Sequence, residues 1–556
     1  MKRSRFLLAL PLLLTFSQPL VSQTQSALPG IFGEVLEVRV VNIEVVVTDK
    51  KTGLPVLGLG PEDFTLEVDG EQVPIGYFTE VRGGTTLSGV GEELVPGIPA
   101  VAPGKPVGTS YLLFIDDFFS IHIDRNRVLD ALAEDLPLLG PEDRMAVVAF
   151  DGQELEMLST WSQSVDRLER VLRDARGRPA KGLQRLIEFN QFDFSREVLD
   201  DVVFDNGLGV PEFTRTLSIE ERAYVERLSE QINRSVAAVS STMRSFAQPP
   251  GRKVLILLSG GWPFIPADYL VGDISRLVVD RQGPFGDNLY RRLVETANLI
   301  GYTIYPVDVP GLSRSLNDAT SAQRDAPGRI GDAFFQEQQV HQTLEFIARE
   351  TGGEALINSR RVEAFSSTVA DTRSYYWLGF APSREWDDER HDIRVKVGDR
   401  QFRVRSRAGY LDTSQRSEVN MAVESALLFG NAPGYGSLDA SAGAAVATKR
   451  NRMEVPLEVS IPLDQVTFLP IDDRWASELE LRIAIVDESG QQAEMPVIPL
   501  RLTVPEEPRT GSRGTWGTTL QLRKKGHRAV VAVYDPASGR ILSAGLEIPS
   551  GGVRRR

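Results

Sequence analysis

The feature that most constrains the fold is an alternation of apolar and amphipathic segments between residues 109 and 382. Segments such as "YLLFID", "RMAVVAF", "KVLILLS" and "YTIYPVDV" are almost continuously apolar. Between them, stretches such as "DRNRVLDALAEDLP" repeat apolar residues at helical spacing, which is typical of a helix with one buried face. Strands buried on both faces and separated by helices predict a parallel sheet covered on both sides, the doubly wound, Rossmann-like α/β class.

Sequence rich in β signals flanks this part of the chain. Residues 34–82 contain the strand-like "VRVVNIEVVVTD" and a strand-turn-strand pattern around Asp69-Gly70. Residues 385–412 have the pattern of a hairpin, and residues 451–550 predict an immunoglobulin-like β-sandwich. Residues 34–82 and 385–412 each hold too few strands for a core of their own. We therefore expect them to complete one β module, with the α/β domain inserted between them.

Three further segments separate or interrupt these parts of a multidomain chain. Residues 83–108 are rich in Gly, Pro and Val and predict a linker. Residues 176–250 suggest an insertion on the ligand-bearing face of the α/β domain, and extra helix packed on the body is an equally open interpretation. Residues 413–450 predict a helix followed by a flexible linker rich in Gly, Ala and Ser.

The first 27 residues have the pattern of a secretory signal peptide. A basic start is followed by the apolar run Phe6–Phe16 and then by a stretch of small and polar residues. The apolar run is short for a membrane span, and an uncleaved anchor is the alternative. We expect an exported protein in the periplasm, the cell envelope or the extracellular space, with no transmembrane span in the mature chain.

Composition narrows the classes of function. The chain has 62 Lys and Arg against 76 Asp and Glu, a net charge of −14, which argues against a nucleic-acid binder that neutralises phosphates. The absence of cysteine excludes disulfides and thiol catalysis. The four histidines are far apart in sequence and show no metal-ligand spacing, so a zinc enzyme is not expected.

The order of these motifs resembles the von Willebrand factor A-related proteins that are abundant in Acidobacteria. The resemblance is carried by "VVVTDKKTGLPVLGLGPEDFTLEVDG" before the α/β part, by "YYWLGFAP" and "RVRSRAGY" after it, and by "MEVPLEVSIPLDQVTFLP" further on. It covers residues 34 to about 548. It implies a von Willebrand factor A domain over residues 109–382, flanked by β-sandwich modules.

The resemblance also implies a metal-ion-dependent adhesion site, in degenerate form. The family motif is Asp-x-Ser-x-Ser on the first loop, a threonine on the second and an aspartate on the third. Asp116 and Ser120 match the first loop, but Phe118 replaces its first serine. The second loop has Lys181 and no threonine, and the third reads Ser259-Gly260-Gly261 without a carboxylate.

Two expectations follow for this site. The first is that no cofactor is bound, and that Asp116 caps the following helix or accepts hydrogen bonds from loop amides. The alternative is a Mg²⁺ or Ca²⁺ ion held by Asp116 and Ser120, with help from Asp117, Asp124 or Asp151.

The resemblance favours a non-enzymatic protein that binds a protein partner, or acts in adhesion, through the loops at residues 116–123, 260–264 and 310–315. Four aromatic side chains are expected to supply apolar contact with the partner: Phe118, Phe119, Trp262 and Phe264. A structural or assembly factor of the cell envelope is the second hypothesis.

A hydrolase with Ser259 as its nucleophile is the third hypothesis. The nucleophile elbow reads Gly-x-Ser-x-Gly, but Leu257 stands two residues before Ser259, and no histidine partner can be assigned. We therefore predict no catalytic residue. The aromatic segment "SYYWLGF" predicts a core or edge strand, with a stacking site for carbohydrate or peptide as the alternative.

Overall fold

The computed structural model divides the chain into two units, Val38–Thr413 and Ser414–Arg556 with Met1–Glu37. The predicted signal peptide lies outside the described residues. Within the described part of the chain, no helix combines the length and the apolar character needed to cross a membrane. The structure describes residues 40–90, 104–189, 217–246, 251–271, 286–310, 329–382, 388–412, 414–429, 436–449, 451–471, 473–487, 493 and 495–549.

The unit Val38–Thr413 combines an α/β part with a β module. Its strands are β1 (Val41–Asp49), β2 (Phe64–Val68), β3 (Glu71–Gln72), β4 (Tyr77–Arg82), β5 (Thr85–Val90), β6 (Thr109–Asp116), β7 (Arg144–Phe150), β8 (Leu155–Ser162), β9 (Arg252–Ser259), β10 (Tyr302–Asp308), β11 (Tyr375–Phe380), β12 (Arg390–Val397), β13 (Phe402–Arg405) and β14 (Gly409–Leu411). Its helices are α1 (His122–Asp135), α2 (Val165–Arg176), α3 (Ile219–Ser245), α4 (Pro266–Val271), α5 (Gly286–Ile300), α6 (Arg329–Thr351) and α7 (Ala364–Thr372).

The α/β part is built on a five-stranded sheet with the order β10-β9-β6-β7-β8. The first four strands are parallel, and β8 runs antiparallel to β7 at the edge. Every residue of β6, the central strand, is buried. The apolar run of β6 is therefore explained by burial on both faces, as expected for a parallel strand between helical layers.

Residues 217–246 of the predicted insertion contain a helix of the α/β body. Helix α3 begins at a capping box, in which Ser218 and Glu221 bond each other's backbone amides. Its buried residues contact α5, β6 and β7. The interpretation as an insertion on the ligand-bearing face is wrong for Ile219–Ser245, because this apolar helix face covers the sheet. Residues 190–216 lie outside the described residues.

The β module consists of two sheets whose strands come from both sides of the α/β part. One has the order β13-β1-β11-β4-β5 and the other the order β14-β12-β2-β3. Val47 pairs with Val404, and Leu66 pairs with Val395, so the segments before and after the α/β part hydrogen-bond directly. The predicted pairing of distant segments is thus present in the structure.

The strand "YYWLGF" lies in the β module, whereas the sequence predicts it within an A domain ending at residue 382. Strand β11 pairs antiparallel with β1 and β4, and the α/β part ends at α7. Tyr376 packs in the module core, while Tyr375 and Trp377 pack in a second cluster with Val46. Both faces are buried, so its apolar pattern could not identify the sheet to which it belongs.

The predicted linker at residues 83–108 contains strand β5, which pairs with β4. Gly83 and Gly84 form the turn between them with φ values of 57° and 78°. This conformation favours glycine, so the glycines that suggested a linker instead serve a hairpin. Residues 91–103 lie outside the described residues.

The second unit is a β-sheet module with one helix. Its helix is α8 (Gln415–Phe429), and its strands are β15 (Gly436–Ser437), β16 (Asp439–Ala442), β17 (Val446–Lys449), β18 (Arg452–Pro462), β19 (Leu469–Ile471), β20 (Arg474–Asp487), β21 (Val497–Val504), β22 (Arg513–Arg523), β23 (His527–Asp535) and β24 (Arg540–Ile548).

Its strands form two sheets around a shared apolar core, one with the order β15-β24-β23-β20-β19 and the other β16-β18-β17. Strand β21 adds to β20, and β22 adds to β18. The predicted flexible linker is wrong where β15, β16 and β17 form. Ala440 and Ala442 alternate along β16 and pack against the core, so their small side chains let the strand lie close to the core. The molecule is thus multidomain, with sandwich-like antiparallel sheets and an α/β part.

Candidate functional site

Loops at the carboxyl ends of the parallel strands meet at one surface. Ile121 donates its backbone N–H to the Pro310 carbonyl at 3.0 Å, and Gly182 donates to the Ser120 carbonyl at 3.0 Å. Ligands of open α/β sheets bind at this end of the strands. We call this surface the loop face and define it by residues 116–123, 150–153, 178–183, 259–264 and 308–310.

Asp116 lies at the centre of the loop face and is fully buried. One carboxylate oxygen accepts from Ser259 Oγ at 2.7 Å and from Trp262 Nε1 at 2.9 Å. The other accepts from the backbone N–H groups of Phe118 and Phe119, both at 3.2 Å. Asp116 therefore accepts bonds from loop amides, one of the two roles expected for it without a metal, whereas Ile121 occupies the N-cap of α1.

The surroundings of Asp116 favour its neutral form. Burial raises the pKa of the Asp116 carboxyl to about 7, and the hydrogen bonds from Ser259, Phe119 and Trp262 oppose this rise only in part. Each of these donors is neutral, so none supplies the charge that would hold the carboxylate ionised.

Phe118 and Phe119 are buried, which corrects their predicted role in partner contact. Their side chains are 7% and 0% exposed, and the rings meet edge to face with centroids 4.8 Å apart. The guanidinium of Arg185 lies 5.1 Å from the centre of the Phe118 ring. The two rings fill the centre of the loop face, so they offer no surface to a partner in this conformation.

Glycines on three neighbouring loops make room for this first loop. A Cβ at Gly152 would lie 2.2 Å from the Phe118 ring, and a Cβ at Gly261 would lie 2.5 Å from the Phe119 ring. A Cβ at Gly182 would lie 2.4 Å from the Ser120 carbonyl oxygen. Each distance is shorter than real Cβ contacts allow, so these loops close on the first loop only because they carry glycine.

Asp117 faces two arginines instead of a metal. Its carboxylate accepts from Arg125 Nη1 at 2.5 Å and from Arg178 Nε at 2.9 Å. Arg125 is fully buried, and it also donates to the backbone carbonyls of Arg176 and Arg178. The arginines thus fix the second loop to the first and neutralise the carboxylate.

The other carboxylates considered as metal ligands also contact cations. Lys181 Nζ lies 2.9 Å from Asp151 Oδ2 and donates to the Asp151 carbonyl at 2.8 Å. Asp124 pairs with the exposed Arg127 at 3.4 Å. In place of the threonine of the family motif, the second loop therefore supplies a lysine that binds a carboxylate.

Trp262 and Phe264 differ in burial, and the contact role of the half-buried Phe264 stays a prediction. Trp262 is fully buried and lies parallel to Tyr290, with ring centroids 6.0 Å apart. Phe264 is half-buried and meets Phe346 edge to face at 5.5 Å. The predicted contact role is wrong for Trp262, because its indole N–H bonds Asp116 and turns the ring inward.

The residues present do not fit a divalent cation at Asp116. Ser120 Oγ is the one feature in favour, since it is buried without a hydrogen-bond partner among the described residues. Against it, the indole of Trp262 is a donor only and points at the carboxylate. Mg²⁺ needs oxygen ligands in near-octahedral order and usually keeps several waters. The phenylalanine rings and the indole fill the space that such waters would need.

Ser259 is tied to Asp116 and has no partner that could activate it as a nucleophile. Its hydroxyl donates to a carboxylate, and among the described residues no histidine contacts it. A serine nucleophile needs an adjacent base that takes its proton, and Asp116 is surrounded by other donors. Gly261, two residues after Ser259, allows the close approach of Phe119.

A separate acidic cleft lies beside the end of β10. It has a volume of about 720 Å³, and its lining includes Glu337, His341, Glu345 and the exposed Phe334. His341 Nε2 lies 3.5 Å from Asp308 Oδ2. Burial disfavours the charged ring, but the carboxylates of Asp308, Glu337 and Glu345 together outweigh it, so the pKa of His341 lies above its usual value.

The comparisons with known proteins assign neither a fold nor an activity. No family model and no curated protein matches the chain. The N-terminal domain of TFIIH p34 matches with a TM-score of 0.21 and 11% identity, over 47% of this chain and 97% of that one. A beta-glucuronidase of Bacteroides uniformis matches with a TM-score of 0.15 and 9% identity, over 34% of this chain.

A glycosyl hydrolase family 2 member from Bacteroides cellulosilyticus DSM 14838 has a TM-score of 0.15 and 9% identity, over 32% of this chain and 20% of that one. The chain thus spans about a fifth of the length of this enzyme, and 20% of the beta-glucuronidase. TM-scores this low carry no structural argument.

Proposed function

We propose that the chain is an exported, non-enzymatic von Willebrand factor A-related protein that binds a protein partner through its loop face without a metal ion. The α/β part supports this, because four parallel strands bring several loops to one surface. The site chemistry supports a binding role over a catalytic one, since Asp116 and Ser259 are bonded to each other and buried.

The observation that carries the proposal is a set of exposed apolar side chains on the loop face and on the helical stretch that continues from it. Ile123 is 63% exposed, and Leu183 and Ile187 are 48% and 47% exposed on one side of the helical stretch 182–189. Leu183 follows Gly182, whose N–H bonds the Ser120 carbonyl three residues before Ile123. Apolar side chains exposed together mark interaction surfaces more often than single ones do. They take the place of the buried aromatic residues that the sequence predicts as the partner contact.

The test is capture of a partner from cell-envelope extract by the purified protein. The triple variant Ile123→Ser, Leu183→Ser, Ile187→Ser should lose the captured protein and keep its unfolding temperature. The matched control is Leu54→Ser with Leu57→Ser, exposed apolar residues of the β module. Capture lost only in the control would contradict the proposal and favour the envelope assembly function of the β modules.

A further inference from the structure

We propose that an internal lock holds the loop face in its shape: Trp262 and Ser259 donate to Asp116, and Phe118 and Phe119 fill the space between the loops. The inference rests on the proposed function, because it concerns the same surface. The inference adds a statement about regulation. Because its own side chains hold the loop face in shape, the loop face binds its partner independently of divalent cations.

The lock joins separate loops at one carboxylate. Asp116 receives hydrogen bonds from its own loop through two backbone amides, and from the loop after β9 through Ser259 and Trp262. A metal ion joins loops in a comparable way, by drawing oxygen atoms from each of them. Here a hydroxyl and an indole N–H do so instead, and the indole can only donate.

The phenylalanine pair fills the space between the loops, so the lock leaves no room for another group. Both rings are buried, and they lie so close to Gly152 and Gly261 that not even a methyl group would fit between the loops and the rings. A hydrated cation is larger than a methyl group. Opening the site to admit one would therefore require Phe118 or Phe119 to leave its position.

Fixed positive charges complete the lock. Arg125 and Arg178 hold Asp117, and Lys181 holds Asp151, so these carboxylates already have counter-charges. A divalent cation at the loop face would have to compete with these side chains for the same carboxylates. The loop face is thus closed to cations by hydrogen bonding, by packing and by the pairing of its other carboxylates with arginine and lysine.

The lock is tested on the full chain by thermal unfolding without any partner, so it can fail independently of the proposed function. Trp262→Phe removes the indole N–H and keeps an aromatic ring, and we expect the midpoint of the first unit to fall by roughly 2–5 °C more than in the control. The control is Trp377→Phe, a buried tryptophan of the β module. A decrease no larger than that of the control would overturn the lock.

The second readout is the response of the wild-type protein to cations. We expect the same unfolding midpoint in EDTA and in millimolar Mg²⁺, Ca²⁺ or Mn²⁺, and no heat of binding in calorimetry. A ligand that binds the folded state alone would raise the midpoint. Heat of binding that disappears in Asp116→Asn would overturn the proposal. Line broadening of the Trp262 indole signal by Mn²⁺ would do so as well, even if that variant does not fold.

Discussion

A fully buried carboxylate and a partly buried one lie at opposite ends of the α/β sheet, and their partners differ in charge. Asp116, at the carboxyl end of β6, is surrounded by the neutral donors Ser259, Trp262 and two amides. Glu44 of the β module lies at the other end and faces the guanidinium of Arg252, the first residue of β9, at 3.2 Å. Arg252 is buried and also lies over the Tyr375 ring at 3.9 Å.

The two ends of the sheet therefore have different roles: the amino end is a joint between the α/β part and the β module, and the carboxyl end forms the loop face. At the amino end, an ion pair attaches the inserted α/β part to the module in which it is inserted. At the carboxyl end, neutral donors hold a carboxyl whose pKa burial raises to about 7. The first arrangement depends on charge, whereas the second depends on packing and shape. Substitutions at the two ends should therefore respond differently to pH and to loss of volume.

The largest effect is expected where packing holds the loop face. Phe119→Ala removes a fully buried ring between tightly closed loops and should lower the free energy of unfolding by about 4 kcal/mol. Urea denaturation measures the change. Phe334→Ala, a half-exposed ring of the same unit, should cost less than about 0.5 kcal/mol. Equal losses in both variants would show that Phe119 does not fill the loop face as described.

A smaller effect is expected at the joint. Arg252→Met keeps an apolar stem but removes the buried cation that faces Glu44, which should cost about 2 kcal/mol, less than for a fully buried pair because Glu44 is partly exposed. The control is Arg127→Met, whose pair with Asp124 is largely exposed and should contribute less than about 0.5 kcal/mol. An unchanged urea midpoint in Arg252→Met would contradict the description of this end as a charge-dependent joint.

The smallest effect, when it is measured per pH unit, is a dependence of stability on pH that distinguishes the two ends of the sheet. Because burial raises the pKa of Asp116 from 3.8 to about 7, the folded protein holds this proton where the unfolded chain has lost it. The contribution of Asp116 to stability is thus largest below about pH 4 and declines as pH rises to about 7, by at most about 1.4 kcal/mol per pH unit.

Asp116→Asn should remove this decline, so the stability difference between variant and wild type should change steadily across that range. Chemical denaturation at a series of pH values measures it. Glu44→Gln serves as the comparison, because its partner is a permanent cation. A constant difference between wild type and Asp116→Asn at every pH would show that Asp116 is ionised throughout.

Much of the fold follows from periodicity, but strand partners do not. The apolar runs of β6, β7, β9 and β10 and the helical spacing of α1 predict an α/β part between β modules, and the structure has both. The sequence places strand β11 in the wrong sheet because a strand buried on both faces looks alike in either. The sequence does not predict strand β5, because the glycines of its turn are also typical of a linker.

The sequence predicts where the candidate site lies, but not which side chains are buried there or what they contact. Asp116 and Ser120 do lie at the carboxyl end of the parallel strands, as predicted, but the sequence does not show which contacts surround them. The burial of Trp262 could not be predicted, since an aromatic residue in a loop gives no direction to its ring. The burial of Arg125, in contrast, can be predicted from helical spacing. It lies three and four residues before Val128 and Leu129, on the buried face of α1.

The discontinuous β module has a consequence for biosynthesis. Val41 pairs with Phe380 and Val47 with Val404, so strands made early wait for partners made much later. At roughly 5–20 residues per second, translation of the intervening chain takes tens of seconds. During that interval β1 lacks both neighbours and presents unpaired edges that attract other chains. A cell that makes this protein therefore has to shield the unpaired edges of the β module while the α/β part, which lies between its strands in the sequence, folds.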